Sequence, residues 1–87
     1  MKDLIERLVE DISPTTSIFR IFIYLAFKGA TKPIEIVEET DIPAGTVYPA
    51  LRELLENGFI TQLDSGAYQS NIDFTYLLSE LFSISSR

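Results

Sequence analysis

Leu4, Ile5, Leu8, Val9 and Ile12 recur at the spacing of one helix face, with Glu6, Arg7 and Glu10 outside the stripe. Ser13-Pro14 then restarts the chain, since serine caps a helix start and proline is tolerated at the first helical position. The next helix is predicted from about residue 14 to 28. It is apolar on nearly every side, with Ile18, Phe19, Ile21, Phe22, Ile23, Tyr24, Leu25 and Phe27, so it reads as a central helix covered all round. Gly29 ends it after Lys28, whose charge suits the negative end of the helix dipole.

Ala30 to Lys32 is long enough for a small first strand. Pro33 to Thr40 reads as a two-turn helix with Ile34 and Val37 inward, and Asp41-Ile42-Pro43 as a turn in which Ile42 plugs the angle between two helices. The following helix runs from about Ala44 to Asn57, with Val47, Ala50, Leu51, Leu54 and Leu55 toward the core, and Asn57-Gly58 stops it. Pro49 is at odds with a helix interior, where it removes an N–H bond and crowds the carbonyl of Gly45. A helix beginning near Thr46, with Pro49 in its early turns, is the reading adopted. Phe59–Leu63 and Ala67–Ser70 are strands around an Asp64-Ser65-Gly66 hairpin turn. Asn71 is expected to cap a last helix with Asp73 in its first turn. There Phe74, Leu77, Leu78, Leu81 and Ile84 form one stripe, with Tyr76 and Phe82 off it.

That order of elements predicts a mainly α fold with a small β-hairpin, a winged helix-turn-helix with extra N- and C-terminal helices. Residues 1–87 would form a single domain, with the helix-turn-helix at 33–57, the wing at 59–70, and 1–12 and 71–87 as dimerisation helices. At 46% hydrophobic the 87-residue chain holds more apolar side chains than one small core hides, which favours self-association. Cysteine and histidine are both missing, which removes the thiol nucleophile, the usual general base and the commonest zinc ligands. No enzyme, metal site or cofactor is predicted. The longest apolar stretch, Ile21 to Phe27, is far short of the roughly 20 residues that span a bilayer, and no signal peptide is visible. A cytoplasmic protein with no membrane partner follows as the expectation.

Core packing turns Ala44, Gly45, Thr46, Tyr48, Pro49, Arg52 and Glu53 outward on the second helix of the pair. The small residues at its start would let a phosphate approach the free N–H groups. Thr46 and Tyr48 carry hydroxyl donors, and Arg52 suits phosphate or guanine. Lys28 and Lys32 flank this region as candidate phosphate contacts. The wing offers Gln62, Ser65, Tyr68 and Gln69, which hydrogen-bond without neutralising charge. Leu4, Leu8 and Ile12 with Phe74, Leu77, Leu78 and Leu81 are the candidate dimer residues, paired across a two-fold axis.

Charge complicates the nucleic-acid reading. The net charge is −6, and between residues 28 and 70 three cations face seven carboxylates. Glu35, Glu38, Glu39 and Asp41 read as solvated carboxylates or as an acidic partner-binding face, not as a metal cluster.

The run Gly45-Thr46-Val47-Tyr48-Pro49-Ala50-Leu51-Arg52-Glu53-Leu54, followed by Asn57-Gly58-Phe59-Ile60, resembles the recognition helix of PadR-like winged-helix regulators. Over residues 17 to 70 the chain is also similar to small archaeal and archaeal-virus regulators of the TrmB- and MarR-like kinds. The resemblance implies a homodimeric, sequence-specific transcription factor on double-stranded DNA. Two departures stand out: the wing from Ile60 to Ser70 holds no Lys or Arg, and about 15 residues follow it where PadR-like proteins carry a longer dimerisation domain. The alternative expectation is a winged-helix protein-interaction module of a larger complex, with a protein partner and no DNA.

Overall fold

The computed structural model of the chain describes Arg7 and residues 16–85. Helix α1 (Ser17–Lys28), helix α2 (Pro33–Thr40) and helix α3 (Ala44–Glu56) come first. Strands β1 (Ile60–Gln62) and β2 (Tyr68–Ser70) and helix α4 (Phe74–Ser85) follow. The fold class is as expected: mainly helical with one antiparallel hairpin, in winged helix-turn-helix order, plus a C-terminal helix. The expected helix over 3–12 with Leu4, Leu8 and Ile12, and the Ser13-Pro14 start, lie outside the described residues, as do the side chains of Leu81 and Ile84.

Thr16 caps α1: its Oγ1 accepts from the Phe19 N–H at 3.2 Å. Phe19, Ile21, Phe22 and Leu25 face the core, but the described residues do not cover the helix all round. Arg20 and Phe27 are exposed and Ile23 and Tyr24 half-buried, because α2, α3 and the hairpin all pack on the opposite side of α1. The Tyr24 hydroxyl is closed off from solvent without a hydrogen-bond partner among the described residues. An unsatisfied buried hydroxyl costs about 1–3 kcal/mol. Tyr24→Phe is therefore expected to hold or raise stability, by up to about 1 kcal/mol; a fall of the urea midpoint in denaturation would show that the hydroxyl has a stabilising role.

Helix α2 has the expected bounds with a different face inward. Ile36 is wholly buried, Val37 is half-buried, and Ile34 is 58% exposed. Positions 34 and 36 differ by about 200° around a helix, so only one of them can meet the core. Contact with α3 selects Ile36, where the local pattern allowed either. The Glu35 carboxylate accepts from the Lys32 N–H at 3.2 Å and fixes the helix start beside Pro33. At the other end Thr40 donates from Oγ1 to the Ile36 carbonyl at 2.6 Å and accepts from the Ile42 N–H at 3.3 Å. That hydroxyl ties the turn together while Asp41 takes a left-handed conformation (φ 59°), and Ile42 is buried in the angle as expected.

Helix α3 begins at Ala44 with Pro43 as its N-cap, the Thr46 and Val47 N–H groups both donating to the Pro43 carbonyl. Pro49 is therefore inside the helix and not in an early turn, contrary to expectation. The Gly45 carbonyl loses its i+4 donor, and exposure of both residues leaves it open to water. Leu55, expected inward, is 37% exposed. The helix stop is a Schellman motif: Phe59 N–H donates to Leu54 O at 3.0 Å and Gly58 N–H to Leu55 O at 3.1 Å. Gly58 sits at φ 79°, a conformation that a side chain would strain.

The hairpin pairs Ile60 with Ser70, Thr61 with Gln69 and Gln62 with Tyr68. Thr31 adds a single bridge to Tyr68, two bonds of 2.9 Å, where the sequence allowed a small first strand at Ala30–Lys32; one bridge forms there and no strand. Asn71 does not cap α4. Its Nδ2 donates to the Gly58 carbonyl and its Oδ1 accepts from Thr61 Oγ1, locking the hairpin to the end of α3. Asp73 takes the capping role, its Oδ2 accepting from the Tyr76 N–H at 3.2 Å.

Candidate nucleic-acid interface

Helix α3 is held by Val47, Ala50, Leu51 and Leu54, all buried. With about 100° between successive residues, the direction opposite those four is occupied by Gly45, Pro49, Arg52 and Glu56. All four are exposed, and Ala44, Thr46, Tyr48 and Glu53 are exposed to either side of them. Every outward residue named from the sequence thus lies on the uncovered face. The sequence reading missed Glu56, one turn beyond Arg52 on the same ridge, which the i, i+4 spacing alone would have found.

The start of α3 is chemically simple. Pro43, Ala44 and Gly45 bring no bulk, and a helix N-terminus presents N–H groups and the positive end of its dipole. Tyr48 projects beside this end, 54% exposed. A flat anionic backbone could come close here, with Arg52 one further turn along.

The two lysines differ. Lys28 Nζ lies 3.5 Å from Glu39 Oε1 across the α1–α2 corner, with both side chains about half exposed. A pair of that exposure contributes at most about 1 kcal/mol, yet it sets a carboxylate against the Lys28 charge. Lys32 is exposed at the α2 start, next to the Thr31 bridge that joins α2 to the wing. On the hairpin, Thr61, Gln62, Ser65 and Gln69 are exposed, while Tyr68 packs against the core.

Glu35, Glu38, Glu39 and Asp41 are all exposed. Among the described residues no three carboxylates come together as metal ligands, and no helix is long and apolar enough to cross a membrane. Apart from the Lys28–Glu39 pair, the helix-turn-helix surface is cationic only at Lys32 and Arg52.

Pro49 gives this face a measurable signature. Pro49→Ala supplies the missing N–H to the Gly45 carbonyl and removes the ring's steric conflict, so it is expected to stabilise the protein by about 1–3 kcal/mol. Thermal denaturation followed by circular dichroism reads the gain. A lower midpoint would mean that the ring packs where no bond could replace it.

The family described as the sugar-specific transcriptional regulator TrmB matches residues 18–73, from α1 through the wing and up to the cap of α4. No curated protein and no solved structure matches the chain significantly.

Proposed function

We propose, from the premise that the chain belongs to the TrmB family of transcriptional regulators, that it binds double-stranded DNA sequence-specifically as a homodimer inside the cell. The observation that carries the reading is the uncovered ridge of α3. Its N-terminal turn offers backbone N–H groups to phosphate, and Arg52 is the one side chain on it able to bind guanine bidentately. Thr46 and Tyr48 donate from the flanks, and Lys32 approaches the backbone beside the wing. Lys28 joins them only when Glu39 releases it. The Tyr48-Pro49-Ala50-Leu51 run resembles the recognition helix of PadR-like regulators, whereas the family that matches is TrmB.

A second reading has its own support. The helix-turn-helix is acidic and the wing carries no cation, which is the surface of a module that binds a basic protein partner.

Fluorescence anisotropy separates the two. With at most Lys32 and Arg52 from each protomer neutralising phosphates, and Lys32 alone if Arg52 reads guanine, log K should fall against log salt with a slope no steeper than about −4. The expected outcome is tighter binding to a duplex from the gene's own promoter than to a scrambled one, with that shallow slope. No binding to either duplex at tens of micromolar protein and low salt, about the weak end of ordinary non-specific affinity, would exclude the DNA reading and leave the protein partner.

A further inference from the structure

Among the described residues, one face of helix α1 is left uncovered. Phe19, Ile23 and Phe27 are spaced i, i+4, i+8 along it, Arg20 and Tyr24 border them, and Phe74 from the start of α4 closes the end. Together they line an open groove of about 530 Å³ whose walls are almost wholly hydrocarbon. The Phe27 and Phe74 rings meet edge to face at 5.2 Å and join the two helices into one surface. The apolar row does not stop there. Leu78 and Phe82 continue from Phe74 at i+4 and i+8 along α4, and they are 53% and 76% exposed beside a Phe27 that is 69% exposed.

We infer that this surface is the seam between two copies of the chain, the α4 row of each seated in the α1 groove of the other. The inference deepens the homodimer proposed above and rests on that reading. It also moves the seam: Leu77, expected at the interface, is wholly buried inside its own protomer, and the outward face of α1 takes its place.

Three observations commit the face to a second copy. A groove and a protruding row lie side by side on one surface, which is what a two-fold axis needs, because each patch then meets its complement. The face is also nearly neutral in an acidic chain. Helices α1 and α4 together carry Arg20, Lys28 and Glu80 against a net −6 for the whole molecule, so two copies meet here without the repulsion that other faces would impose. Finally, large aromatic side chains bury about 150–250 Å² each. On that scale Phe27, Leu78, Phe82 and the groove walls offer on the order of 500 Å² per protomer, or about 1,000 Å² per dimer, the lower bound for a specific interface. An interface of that size lies at the small end of specific association.

Sedimentation equilibrium on the full chain from about 1 to 100 µM tests the seam, with circular dichroism confirming that each variant folds. Phe27→Asp and Phe82→Asp change exposed positions and should each leave a folded monomer across that range. Ile34→Asp, exposed on α2 away from the seam, should dimerise like the unaltered chain. A dimer that survives both aspartates would overturn the seam and leave the homodimer standing on other residues. A monomer in all three variants would overturn it as well, by placing α2 in the interface. An unaltered chain that is monomeric at 100 µM would remove the homodimer itself.

Discussion

Replacing Phe59 with alanine is expected to destabilise the protein by about 3–5 kcal/mol, the largest effect of any single truncation in the core. Phe59 is wholly buried. Its ring meets Phe22 edge to face at 6.2 Å on one side. On the other, the Arg7 guanidinium carbon lies 5.5 Å from the ring centre while Arg7 Nη2 donates to the Asn57 carbonyl at 2.9 Å. One side chain therefore joins α1, the end of α3, the root of the wing and the N-terminal segment through Arg7. Its backbone adds to this, since the N–H closes the α3 stop on Leu54 and the carbonyl accepts from Asn71 at the hairpin base. Chains of this length hold roughly 4–13 kcal/mol in all, so the variant should lose much of its stability in urea denaturation. Phe59→Leu keeps most of the hydrocarbon and should cost less than half as much. Equal losses from both would mean that ring contacts with Phe22 and Arg7 dominate over volume.

Arg52→Ala is expected to abolish useful DNA affinity. A good bidentate base contact is worth about 1–3 kcal/mol. In the proposed homodimer two half-sites then lose roughly 2–6 kcal/mol, a weakening of at least about 30-fold. The loss is large because so little else on this surface is cationic: Lys28 is held by Glu39, the wing carries Asp64 and no cation, and only Lys32 remains. Folding should be untouched, since Arg52 is exposed and makes no part of the core. Arg52→Lys separates the two ways the guanidinium could act. Lysine keeps the charge but not the planar fork. A guanine contact predicts that lysine fails to restore preference for the promoter duplex; a phosphate contact predicts that it restores binding to promoter and scrambled duplex alike. Unchanged anisotropy for Arg52→Ala would remove the ridge of α3 from the interface.

The acidic balance has a kinetic counterpart. A protein with net charge −6 is repelled by DNA at long range, so association should be slow and should quicken as salt screens the field. The close contacts at Lys32 and Arg52 weaken with salt at the same time.

Elements set by local chemistry were legible in the residues. The Pro33 start and Thr40 end of α2, the Ile42 plug, the Gly58 stop and the hairpin at Asp64–Gly66 each rest on a proline, a glycine or a lone apolar residue between polar neighbours. Such signals act within a few residues, and no distant contact is needed to read them. The outward side of α3 was readable for a related reason. Val47, Leu51 and Leu54 leave a helix of that length one orientation, and everything opposite them follows.

Rotation of the shorter helices, and cover for the apolar one, were decided by tertiary contact. On α2 the residues Ile34, Ile36 and Val37 allow two inward faces, and only the position of α3 selects Ile36. On α4 adjacent leucines straddle the boundary, and packing takes Leu77 in while leaving Leu78 out. A proline inside α3 contradicts local propensity, and burial of four apolar side chains on one face outweighs a lost hydrogen bond on the other. Helix α1 is apolar nearly all round, which announces burial without naming what buries it. A hydrophobic surface is non-directional: the sequence specifies that Phe27 and its neighbours should leave water, and only the arrangement of the other helices leaves that face to be met from outside the protomer.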